Sequence, residues 1–281
     1  MSWGILYGIG MGPGDPELLT RKAFRLLDTV PVIFYPACGG KAQGFALDIL
    51  QQAFGQEGAQ VFPTSLPPNP AVLDRCRLLP LTLVREPDGE RSHWTRAAEV
   101  VAQVLQSGKD AAFITEGDPL LYSTFVHLRA ALGERFPEAR VEVVPGISSV
   151  TAAAARAGFP LALADERVAV LPATFDPHFL EQALEAFDTV VLMKVSRVLD
   201  RVLTILERRG LLDSAVFVER CGTANERVIR DLGSLRGQRV DYFSLLLVRN
   251  HPHPHALPRR PHPDPLPEGE GQGEGARDIR G

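Results

Sequence analysis

The chain has 281 residues, 45% hydrophobic and 23% charged, and its 30 Lys+Arg against 34 Asp+Glu give a formal net charge of −4. This is ordinary globular composition, which excludes a collagen, a coiled coil and wholesale disorder, and at this length two domains of roughly 100–150 residues are expected. The acidic balance disfavours a nucleic acid partner, and Cys38, Cys76 and Cys221 form no C-x-x-C pair, so neither a disulfide framework nor a zinc site is indicated. No basic leader precedes the first apolar stretch and no apolar run approaches ~18 residues, so a cytoplasmic protein with no membrane association is expected.

Short apolar runs rich in β-branched residues alternate with segments of helical period, the pattern of βαβ units and mainly parallel sheets in an α/β protein. Strands are predicted at Ile5–Ile9, Val30–Tyr35, Leu78–Val84, Asp110–Thr115, Val141–Val144, Val168–Leu171, Thr189–Lys194, Ala215–Glu219 and Tyr242–Val248. The stripe Ala97, Val100, Val101, Val104, Leu105 predicts a helix over Trp94–Ser107, and Val198, Val202, Leu203, Ile205, Leu206 predict one over Val198–Arg208. Gly108 and Gly210 stand just past their ends, where a left-handed residue closes a helix. A boundary is expected where the fourth strand ends, dividing an N-terminal α/β domain, 1–115, from a C-terminal one, 116–250. The remainder, 251–281, holds seven of the 23 prolines and four of the seven histidines. It has too little apolar surface to offset an ordering cost of ~1–2 kcal/mol per residue, so disorder is expected there. Proline interrupts His251, His253, His255 and His262 too often for a preformed metal site.

Three strand-to-helix turns carry the chemistry. The first, Gly8-Ile9-Gly10-Met11-Gly12-Pro13-Gly14-Asp15-Pro16, fails the dinucleotide fingerprint G-x-G-x-x-G, because Pro13 stands where the third glycine belongs, and it lacks the Gly-Lys-Ser/Thr of a phosphate loop. Its glycines hold the backbone open, with Asp15 as N-cap and Pro16 at the first position of a helix. The second, Thr115-Glu116-Gly117-Asp118-Pro119-Leu120-Leu121-Tyr122, repeats Gly-Asp-Pro and suits a cationic or hydroxyl-rich ligand better than a phosphate. The third, Pro145-Gly146-Ile147-Ser148-Ser149, starts an alanine-rich helix with small hydroxyl residues that can grip a base edge or a carboxylate. Each alone is equally a tight turn or a helix cap. Together they lie at the carboxyl ends of strands, where open α/β sheets bind ligands.

In this order the strings GMGPGD (Gly10–Asp15), EGDPLLY (Glu116–Tyr122), PGISS (Pro145–Ser149), VVLMK (Val190–Lys194) and ERCGTANE (Glu219–Glu226) resemble the tetrapyrrole (corrin and porphyrin) methylase family. Within it, LYGIGMGPGDPELLTRKAFRLL, FITEGDPLLYSTF and DYFSLLLV are most similar to the C20 methyltransferases of cobalamin biosynthesis, which act on precorrin-2 or cobalt-factor II. The resemblance implies two α/β domains with S-adenosylmethionine in the cleft between them, a tetrapyrrole substrate and a homodimer. It implies that Pro13 lies near the cofactor and that Gly117, Asp118 and Leu121 surround its methionine and ribose. It further implies that Ser148 and Ser149 contact the cofactor, that Met193 packs on the adenosine and that Gly222 offers backbone contacts. On the residues alone, Met193 reads rather as core packing at a strand end.

Methyl transfer from a sulfonium is an in-line displacement by an activated donor, requiring neither a metal nor a covalent nucleophile. A proton then leaves the methylated ring carbon; Asp15, Glu116 and Asp118 are candidate acceptors, though Asp15 and Asp118 are equally well explained as caps, and no catalytic base is assigned. Arg85, Arg91, Arg96, Arg129 and Arg220 are candidates for the substrate's carboxylate arms. The alternatives are a methylase of the same family acting at another ring carbon, a nucleotide-dependent oxidoreductase, and a tetrapyrrole carrier without turnover.

Overall fold

Strand β1 (Ile5–Gly10) lies between β4 (Ala111–Thr115) and β5 (Arg140–Val144), and β2 (Val32–Ala37) and β3 (Arg77–Thr82) extend the sheet in the order β3-β2-β4-β1-β5, every pair parallel. The computed structural model describes residues 2–37, 44–54, 76–82, 90–173 and 176–250, which form one compact unit. The expectations for Cys38, Val84, Arg85, the Arg91 side chain and the tail from 251 lie outside the described residues.

Parallel strands need crossovers, and helical crossovers cover both faces of a sheet, so its strands become unbroken apolar runs. All five residues of β4 are buried accordingly. On one face α1 (Arg21–Thr29) and α2 (Phe45–Phe54) bury Leu27, Leu50 and Phe54 in a cluster with Ile9 and Ile114. On the other, α3 (Glu90–Gln106) and α4 (Phe125–Arg135) bury Val101, Leu105 and Leu128 with Leu6 and Phe113. The expected strand Val141–Val144 belongs to this sheet as β5, so the chain changes sheet after Val144 and not at 115/116. The element that carries it across is α5 (Ser149–Ala157), whose Ala152, Ala153 and Ala154 pack among Val191, Val216 and Leu247 of the second sheet. Alanines allow that close approach.

The second sheet contains β6 (Val168–Pro172), β7 (Thr189–Met193), β8 (Ala215–Glu219), β9 (Arg227–Ile229) and β10 (Ser244–Arg249), ordered β6-β7-β10-β8-β9. Helices α6 (Pro177–Ala186) and α7 (Leu199–Arg208) cover the face opposite α5, burying Leu184, Val202 and Leu206 with Val190 and Phe217. The first sheet is parallel as expected, but here only β6 and β7 run parallel, and β10 is antiparallel to both β7 and β8. The physical reason is double coverage. Every residue of β8 and β10 is buried, so these antiparallel strands carry the continuous apolar pattern of parallel ones. Strand β9 was not predicted; it is three residues long, at the sheet edge and partly exposed.

Two expected helix starts are displaced. Asp15 caps only a 3-10 turn, Pro16–Leu18, and α1 begins at Arg21 behind its own cap, Thr20, whose Oγ1 accepts the Ala23 N–H at 3.2 Å. No helix follows Asp118-Pro119, because Tyr122 adopts a left-handed backbone (φ 53°), and α4 waits until Phe125. Gly108 and Gly210 close α3 and α7 with φ of 78° and 67°. Among the described residues no helix is long and apolar enough to cross a membrane.

Candidate active site

Strands β1 and β4 are neighbours, yet the chain leaves them in opposite directions, from β1 past β4 toward β2 and from β4 past β1 toward β5. Such a switch point opens a crevice at the carboxyl ends of the strands. There the first turn, after β1, meets the second, after β4, through a backbone bridge: the Gly117 N–H donates to the Gly12 carbonyl at 2.7 Å, and the Gly12 N–H to the Gly117 carbonyl at 3.3 Å. The third turn closes on the same point. A Cβ on Gly10 would stand 2.5 Å from the Gly117 oxygen and 2.6 Å from the Gly146 nitrogen, so three backbones fill the space a side chain would need.

Asp118 ties the second turn to the third. Its Oδ1 accepts the Leu120 N–H at 2.8 Å and its Oδ2 the Gly146 N–H at 3.1 Å. Asp15 accepts the Glu17 N–H at 2.9 Å. Asp118 thus has both oxygens committed to backbone and Asp15 one, whereas Glu116 is exposed and has no hydrogen-bonded partner among the described residues.

A fourth turn, between β8 and β9, joins from the second sheet. A Cβ on Gly14 would lie 2.7 Å from the Cys221 carbonyl oxygen, and one on Gly222 would lie 2.8 Å from the Asp15 nitrogen. Glu226 shapes this turn from beneath: Oε2 accepts the Gly222 N–H at 2.7 Å, and both oxygens receive Arg156 Nε at 2.8 and 3.0 Å. Burial, with Glu226 adding to it, pushes the Cys221 thiol up to about 12. Beside the turn lies an open groove of about 550 Å³ bordered by Arg220, Asn225, Glu226 and Arg227.

The sequence-derived residues fall as follows. Pro13 is buried at the tip of the first turn, and Gly117 and Asp118 form the bridge just described. Ser148 caps α5, accepting the Thr151 N–H at 3.4 Å, with its Cα near the Gly117 position; Ser149 opens the helix and stays partly exposed. Leu121 and Met193, half-buried, pack on one apolar cluster with α5. Gly222 reaches the first turn at Gly14–Asp15, two and three positions beyond Gly12 of the bridge.

Four turns from two sheets thus meet at one place, and the strings that form them span one family model, Tetrapyrrole (Corrin/Porphyrin) Methylases, which matches residues 5–235. The chain belongs to that family. Its relatives include a precorrin-2 C(20)-methyltransferase of Sinorhizobium sp, 35% identical over 87% of this chain and 95% of that protein. A cobalt-precorrin-2 C(20)-methyltransferase of Salmonella typhimurium is 32% identical over 87% and 96%. Two solved structures share the fold. A cobalt precorrin-4 methyltransferase has a TM-score of 0.60 at 21% identity, covering 87% of this chain and 94% of that one. A uroporphyrin-III C-methyl transferase from Thermus thermophilus, complexed with S-adenyl homocysteine, has 0.55 at 21%, covering 88% and 97%.

In this tetrapyrrole methylase the contact of Gly10 with Gly146 and the support of Gly222 by Glu226 are not legible in the sequence, where each glycine reads only as a turn residue. The backbones that Gly10 and Gly222 press against lie more than a hundred positions away.

Proposed function

We propose that this tetrapyrrole methylase transfers a methyl group from S-adenosylmethionine to C20 of precorrin-2, or of its cobalt-containing counterpart cobalt-factor II, in cobalamin biosynthesis. The observation that carries the reading is its identity, near one residue in three, with two C20 methyltransferases that it spans almost end to end. The donor suits the four turns: glycines let their backbones pack into one continuous floor, and Ser148, which caps α5, stands beside it at Gly117, with Ser149 in the first turn of that helix.

S-adenosylmethionine supplies a methyl group already activated on a positively charged sulfur. The chain's own part is to bind, orient and keep water out. The Gly12–Gly117 bridge and the two hydrogen bonds of Asp118 fix three turns relative to one another, and alignment of this kind accounts for ~7–11 kcal/mol of a barrier when reacting atoms are held at ~3–3.5 Å. Leu121 and Met193 offer apolar surface beside the seam where the four turns meet, and a dry cleft favours a reaction in which charge is neutralised. Asp118 has both oxygens engaged by backbone N–H groups, so Glu116, the second oxygen of Asp15 or water takes the departing proton. We further propose a homodimer, as the resemblance implies, and a cytoplasmic location, to which the lack of a C-x-x-C pair or disulfide pattern points.

Incubation of the purified protein with S-adenosylmethionine and each tetrapyrrole, followed by visible spectrum, mass and position of the new methyl group, tests the proposal. One methyl at C20 is expected. Turnover of neither substrate would overturn it, and methylation at another ring carbon would move the assignment within the family.

A further inference from the structure

Taking the four turns as a methylase site, we infer that Lys194 is an anchor for a carboxylate of the bound reactants, held in place by Tyr122. Among the described residues four non-glycine ones have left-handed backbones: Tyr122 (φ 53°), Ala164 (46°), Lys194 (59°) and Arg220 (48°). Such conformations persist where the surroundings over-determine them, and they gather at functional sites. Tyr122, Lys194 and Arg220 are each followed by a buried residue, Ser123, Val195 and Cys221. They also stand one or two positions from Leu121, Met193 and Gly222, so the strain is concentrated around the seam.

The strain at Lys194 has a visible cause. Strand β7 ends at Met193, and the fully buried Val195 opens a 3-10 turn, Val195–Arg197, so the change from strand to turn falls on the one residue between them. Glycine would take that conformation without strain, yet the position holds a lysine. Its Nζ stands 5.8 Å from the centre of the Tyr122 ring. That ring is itself clamped: Tyr122 donates its hydroxyl proton to the Val170 carbonyl at 2.9 Å, bridging from the second turn to edge strand β6. The following Ser123 bonds Thr115 at 3.0 Å. The ammonium is thereby held between the end of β7 in the second sheet and the second turn of the first.

Arg156, Arg220, Arg227 and Arg249 all have carboxylate partners. Lys194 has no ion-pair partner among the described residues and only the π face of a half-exposed tyrosine. A cation held this weakly is readily drawn to an arriving carboxylate, which gives a stronger, charge-assisted bond. Both reactants carry one: the amino-acid end of the methyl donor and the carboxylate arms of the macrocycle.

The test compares Lys194→Met, Lys194→Arg and Lys194→Gly with the wild type, using calorimetric titration with S-adenosylhomocysteine, absorbance titration with the tetrapyrrole, and thermal midpoint. Lys194→Met should weaken one of the two bindings by roughly 10–100-fold, and Lys194→Arg should restore most of it. Lys194→Gly should show the same weakening with a midpoint no lower than wild type, which a structural role would not give. Loss confined to S-adenosylhomocysteine assigns the donor's carboxylate, and loss confined to the tetrapyrrole assigns a ring arm. If the wild type binds both and Lys194→Met binds both as tightly, the Lys194 inference falls while the proposed function stands. If the wild type binds neither, both fall.

Discussion

Glu226 keeps 8% of its side chain exposed and divides its oxygens between the Gly222 N–H and Arg156. Removing it leaves a backbone donor and a guanidinium without their acceptor, so Glu226→Ala should cost about 1–3 kcal/mol in denaturant unfolding and weaken S-adenosylhomocysteine binding. Glu226→Gln, which keeps an acceptor for Gly222, should lose less of both. The neighbouring thiol gives a second check. Because burial and Glu226 hold the Cys221 proton on up to about 12, the folded protein should resist alkylation there at pH 8, and peptide mapping should find Cys221 labelled only after unfolding. The raised value also means that Cys221 favours the folded state fully below the ordinary thiol range of ~8.5, a contribution that fades as pH rises toward 12. Neither property was legible in the sequence. ERCGTANE was recognised as a string, but a turn's residues do not reveal which carboxylate folds back beneath it.

At the scale of elements, Gly-Asp-Pro reads twice as a helix start and twice opens something else. The capping chemistry was legible, since both aspartates do accept backbone N–H groups two residues on. What followed was not, because the helix after Asp118 is prevented by the left-handed Tyr122, itself fixed by a partner 48 residues away. Thr20 is the cap that starts α1, so Thr20→Ala should cost about 1 kcal/mol in denaturant unfolding. Asp118 instead joins two turns, so Asp118→Lys should abolish S-adenosylhomocysteine binding and leave the far-ultraviolet circular dichroism unchanged. At the entry to β10, burial alone would raise the Asp241 carboxyl, but the Phe243 N–H and Arg220, at 2.9 and 2.6 Å, hold it below its ordinary value. That contribution is present above the unfolded carboxylate range of ~3.9 and is lost as pH falls below it. Asp241→Asn should therefore flatten the acid limb of the stability curve, as read from urea midpoints between pH 2 and 5.

At the scale of the whole molecule, the described residues form two helix-covered sheets joined by α5 and by a stack of Phe45 on Phe243, with ring centres 4.4 Å apart. The first sheet was legible because parallel strands buried on both faces leave an unbroken apolar signature. The directions in the second were not, because β8 and β10 carry that signature while running antiparallel. The place where the chain changes sheet was hidden too, since β5 returns to pair with β1 after a helix that could have led to either sheet. That the four turns form one binding site is tested most directly by calorimetric titration of S-adenosylhomocysteine into the wild type and into Gly146→Val, whose side chain would press on the Gly10 and Gly117 backbones. One site per chain in the wild type and none in the variant is the expected result; no binding to the wild type, or equal binding to both, would contradict it.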